Sequence, residues 1–123
     1  EWHARTYLNG RFRSAFSQLN LGPGFAPQAL RFDVLTFTDG PNGPGFSPNA
    51  VMTWVVSRPV QAGCEQAAKS VAAWSGAAYV PPLGRPFQKC TITTEYHGLG
   101  VTFTYAKPGP NRTWILAGEL DAV

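Results

Sequence analysis

The stretch from Val60 to Tyr105 constrains the fold most, because it sets a one-sided helix carrying Cys64 ahead of two alternating strands that begin at Cys90. On a helical wheel Ala67, Ala68, Val71, Ala72, Trp74 and Ser75 fall on the side of Cys64, with Glu65, Gln66, Lys69 and Ser70 opposite. Such a helix needs an apolar sheet to cover. Thr91 to His97 and Val101 to Tyr105 supply one, alternating inward and outward around a Gly98-Leu99-Gly100 turn. Cys90, Ile92, Thr94 and Tyr96 share one face, as do Val101, Phe103 and Tyr105. A Cys64–Cys90 bond would tie the helix to the first of these strands and constrain the unfolded chain by about 3.5 kcal/mol in the loop-closure model.

The remaining segments are read around this unit. Asn9-Gly10 is the strongest short-range signal for a two-residue hairpin turn, and it predicts a β-hairpin over residues 2–16 with Tyr7 facing Phe12. Gly22-Pro-Gly-Phe-Ala-Pro27 reads as a loop centred on Phe25, since Pro lacks a backbone donor and Gly lacks conformational preference. Leu30 to Thr38 reads as a strand, apolar on both faces and hence central. A second loop, Asp39 to Pro48, repeats the Gly-Pro-Gly-Phe tetrapeptide and holds Phe46. Ala50 to Val56 is the next strand, Ser57 and Pro59 open the helix, and Gly76 ends it. Val80 to Phe87 is proline-rich and extended, and Lys107 to Arg112 is a tight loop before a closing strand over Thr113 to Leu120. The expected architecture is a single α+β domain over residues 1–123, with one helix packed on a mainly antiparallel sheet or curled half-barrel and one disulfide.

Compartment and partner class follow from composition. At 123 residues with a 44% hydrophobic fraction, the chain can bury a core without a metal. The Asn111-Arg-Thr113 sequon, the low charged fraction and the abundant Gly and Pro favour secretion, and opening on Glu1-Trp2-His3 without Met reads as a processed chain. A net charge of +3 is a mildly basic surface rather than a nucleic-acid-binding stripe. No apolar run is long enough to span a bilayer.

No catalytic or cofactor motif of high specificity is present. Neither His3 nor His97 is spaced from a carboxylate or Cys as metal motifs require, and Gly-Pro-Gly-Phe is not a phosphate-binding loop. Glu95 and His97, two apart on a strand, would share a face and could give a ribonuclease-like acid and base. What regular structure leaves unexplained is a set of aromatic rings in stiff connections: Phe25, Phe46 and Phe87. Rigid loops with apolar tips lose little ordering entropy on docking.

Arg85-Pro86-Phe87 resembles the Arg-Pro-aromatic loop motif of chagasin-type inhibitors of papain-like cysteine proteases, which wedge three loops into the protease cleft. The likeness spans three residues, with Gly43-Pro-Gly-Phe46 a loose stand-in for a second loop. In composition the chain is similar to the small, Cys-paired secreted effectors of plant-pathogenic fungi, some of which have ribonuclease-like folds. The expectation is therefore a secreted, monomeric, non-enzymatic protein without metal or cofactor. It would bind a protein target through Phe25, Phe46, Arg85, Pro86 and Phe87 and inhibit an extracellular protease of the papain-like or serine class. A ribonuclease-like effector and a carbohydrate-binding module using Trp2, Trp54, Trp74 or Trp114 are the alternatives.

Overall fold

The computed structural model describes residues 2–40, 43–79, 89–106 and 114–122. The fold is α+β, with two helices and a five-stranded antiparallel sheet that does not close. In chain order the elements are α1 (Trp2–Ser17), β1 (Phe25–Gly40), β2 (Gly43–Val56), α2 (Val60–Ser75), β3 (Lys89–Tyr96), β4 (Leu99–Ala106) and β5 (Trp114–Ala122). Across the sheet the order is β1-β2-β5-β4-β3. The strand that comes last in the chain thus sits at the centre, and β1, expected to be central, is an edge.

The largest departure from expectation is α1. The Asn9-Gly10 pair lies inside a helix rather than at a hairpin turn. Leu8, Phe12, Ala15 and Phe16 recur at helical spacing and pack into the core, and burying that stripe outweighs the roughly 1 kcal/mol that Gly10 costs a helix interior. Phe16 meets Trp54 of β2 edge-on, with ring centroids 6.1 Å apart. Arg11 donates from Nη2 to the His97 carbonyl at 2.8 Å, fastening the helix to the β3–β4 turn.

Helix α2 matches its sequence signature. Gly63, Cys64, Ala67, Ala68 and Val71 are buried, and Gly76 ends the helix in the left-handed conformation at φ 76°, its N–H bonded to the Ala72 carbonyl. The expected side-chain cap is absent: Pro59 holds the N-terminal position, and the Ser57 N–H donates instead to the Gly24 carbonyl at 2.9 Å. Trp74 joins the two helices and the sheet. Its Nε1 donates to the Ala15 carbonyl at 2.8 Å and its ring stacks on Tyr96 at 4.0 Å.

The strand registers put alternate residues on opposite faces of the sheet. Ala50, Trp54, Val56, Cys90, Leu99, Val101, Phe103, Leu116 and Leu120 face the helices and form one buried cluster with Phe12, Phe16 and Val71. Gly118 belongs to that face because a Cβ there would lie 2.5 Å from Phe103 Cε1 and 3.2 Å from the Trp54 ring. The Cys64–Cys90 disulfide is formed, with Cα atoms 6.1 Å apart, and joins α2 to edge strand β3. The hairpin between β3 and β4 turns on His97-Gly98, not on Gly98-Leu99-Gly100. Tyr96 pairs with Leu99, and His97 and Gly98 have φ values of 46° and 85°, the signature of a tight primed turn.

Candidate functional site

Of the residues expected to dock a partner, Phe25 is removed by the structure. It is the first residue of β1, pairs with Val56 and is only 9% exposed. The loop before it is bound to the start of α2 rather than projecting. Gln66 Nε2 donates to the Leu21 carbonyl at 2.7 Å and to the Pro23 carbonyl at 2.9 Å, and Arg58 Nε donates to the Pro23 carbonyl at 3.1 Å. Gly24 has a φ of 90°, and a Cβ there would lie 2.6 Å from Arg58 Cγ, so this Gly-Pro-Gly-Phe is a structural latch.

Phe46 lies in β2 with its backbone opposite Thr36, so the expected loop over residues 39–48 is largely two paired strands. Its side chain lies outside the described residues, as do Arg85, Pro86, Phe87 and the sequon at Asn111. What is described is the frame around residues 85–87: Gly76 fixes the chain as it leaves α2, and the Cys90 disulfide fixes it as it enters β3.

Glu95 and His97 do not form an acid–base pair on one face. β3 ends at Tyr96, and His97 occupies the turn in the left-handed region with its ring edge-on to Tyr96 at 4.5 Å. Two of the tryptophans considered for sugar stacking are likewise engaged in packing: Trp54 is in the core, and Trp74 is sandwiched as described above.

The other sheet face is where unexpected chemistry collects. One transverse row, read from the register, runs Asp33, Asn49, Asp121, Gly100, Glu95 across all five strands. The next row runs Arg31, Val51, Glu119, Thr102, Thr93. Beyond it Thr53, Val55, Ile115 and Ala117 present half-buried apolar and hydroxyl groups. No described helix covers this face: the ring contacts of Phe16 and Trp74 all lie on the opposite side.

Electrostatics single out the end of the face near β5. Burial first, and then the charge of Asp121 and a hydrogen bond with it, push the Glu119 carboxyl above its ordinary range. Asn49 donates from Nδ2 to Glu119 Oε1 at 3.4 Å. Only 4% exposed, its Oδ1 is buried without a hydrogen-bond partner among the described residues. Glu119 and Asp121 are visible in the sequence as an i, i+2 acidic pair. Only strand pairing brings Asn49, Asp33 and Glu95 to them.

No protein-family model matches the chain, and no curated protein or solved structure is significantly similar to it. Among the described residues no group of three or more metal-ligating side chains is assembled, and no helix is long and apolar enough to cross a membrane.

Proposed function

We propose that this chain is an extracellular, non-enzymatic protein that binds a protein target through the stiff segment carrying Arg85, Pro86 and Phe87. Inhibition of a papain-like or serine protease is the activity that segment best suits. The observation supporting the reading is the frame: the segment runs between a helix terminated at Gly76 and a strand held by the Cys64–Cys90 bond. Prolines at positions 81, 82 and 86 fix φ at three points of that sequence, and a chain restricted in this way spends less of its contact energy on ordering. The disulfide suits an oxidising compartment, where it persists. With Phe25 in the core, the apolar contact rests on Phe46 and Phe87, and Arg85 orients it.

The purified protein should inhibit at least one member of a panel of papain-like and serine proteases stoichiometrically. Combining R85A with F87A should abolish the inhibition while leaving the thermal unfolding midpoint unchanged. Absence of inhibition across both protease classes would remove this reading.

A further inference from the structure

A net charge of +3 predicts a mildly basic surface, yet the described charges are separated. Among the described acidic side chains Asp33, Glu95, Glu119 and Asp121 all belong to the sheet face opposite the two helices, and only Glu65 lies on a helix. The described basic groups lie mostly on the other side. Arg11 bonds the His97 carbonyl, Arg13 lies over Phe32 at 5.1 Å, Arg58 bonds the Pro23 carbonyl and Lys69 lies over Tyr79 at 5.9 Å. Arg31 is the exception, at the β1 edge. Among the described side chains, the outer sheet face thus carries four of the five acidic groups and one of the five basic ones.

Hydrogen-bond chemistry adds an independent indication. Ionised carboxylates only accept, so the Asp33–Asn49–Asp121–Glu95 row and neighbouring Glu119 are rich in acceptors and poor in donors. Asp33 Oδ1 takes the Val34 N–H at 2.9 Å, and Asn49 spends its Nδ2 on Glu119. The Asn49 Oδ1, on an amide 96% buried against the acidic pair, has no donor among the described residues. A buried carbonyl left in that state costs free energy, and it shows that this part of the row is short of donors among the described residues. Beside the acceptors stand Val51, Val55, Ile115 and Ala117, half-buried and apolar. Apolar area bordered by polar and charged groups has the anatomy of a protein-binding patch, an apolar centre within a polar rim.

We propose that the sheet face opposite the two helices is a docking surface for an arginine- or lysine-bearing segment of another protein. Its cationic side chains lie along the Asp33–Asn49–Asp121–Glu95 row and its apolar side chains cover Val51, Val55 and Ile115. Arginine suits the row best, because its planar group offers several donors at once to adjacent acceptors. Gly100, which has no side chain between Asp121 and Glu95, leaves room on the row for such a group. The test of this surface does not depend on protease inhibition.

The probe is a capped peptide alternating arginine and valine, titrated into the isotopically labelled protein at low and at physiological salt. A matched peptide with glutamate for arginine, and calcium chloride alone, form the other arms. Expected are amide shifts on β2 and β5 with the arginine peptide only, weakening as salt rises. The double variant E119Q/D121N should lower affinity by about tenfold, with R13E, on the helix side, leaving it unchanged. Far-ultraviolet circular dichroism and the unfolding midpoint establish that both variants fold. Shifts confined to α1 or α2, or equal affinity in the double variant, would overturn the proposal. Calcium displacing the peptide from the same amides at lower concentration would make the row a metal site and overturn it too. Self-association abolished by E119Q/D121N would make the face a contact between copies of this chain, with the same consequence.

Discussion

The two faces of the sheet are built from the same strands and differ in what they ask of a neighbour. The helix-side face brings large apolar rings together, with Phe16, Trp54, Phe103 and Trp74 in successive ring contacts of about 6 Å. Among the described residues it buries no side-chain polar atom without a partner. The outer face alternates threonine, valine and carboxylates, and buries an amide oxygen without a donor among the described residues. One face is satisfied by this chain's own helices, whereas the other has unmet hydrogen-bonding and charge. Stability and recognition are thus carried by opposite side-chain sets of the same backbone, and substitutions can separate them.

The sharpest separation is F103A against T93V. Emptying the centre of the core should cost about 3–5 kcal/mol, and the exposed threonine change about 0.5 kcal/mol or less in either direction, measured by urea unfolding. Comparable losses at both sites would break the contrast. Replacing both Cys64 and Cys90 by serine should cost about 2–5 kcal/mol, since the bond ties a helix of the covered layer to an edge strand. A smaller loss would mean that the helix holds β3 by packing alone.

G10A tests the covered layer at its first element. No atom lies within 4 Å of a Cβ built at Gly10, so alanine should stabilise the helix by up to about 1 kcal/mol. A hairpin turn at this position would give the opposite sign. The smallest effect concerns the outer face and pH. Glu119 holds its proton more tightly folded than unfolded, so its contribution favours the fold in acid and is lost as pH rises from the ordinary glutamate range through the raised folded value. The stability of E119Q relative to the parent should therefore climb through that window. A pH-independent difference would show that the carboxyl is not held above its ordinary range.

Most of the covered layer was legible from sequence. The alternation over residues 91–105, the one-sided helix and the cysteine spacing led to the right strands, helix and bond. The α1 error has a definite cause: Asn-Gly is a strong turn signal, and the competing stripe of Leu8, Phe12, Ala15 and Phe16 is short and interrupted by arginines. Phe25 was misplaced because Gly22-Pro-Gly24 resembles a projecting loop until Gln66 and Arg58, far along the chain, are seen to hold it. The acidic row was invisible because it depends on pairings such as Asn49 with Asp121 and Asp33 with Asn49, which belong to register rather than to any local window.

The central position of β5 bears on how the molecule is made. The β1–β2 and β3–β4 hairpins can each zip locally, but they share no border until the strand synthesised after both slides between them. A ribosome-bound nascent chain would therefore hold two half-sheets with raw edges until β5 emerges, the interval in which a chaperone has most to protect.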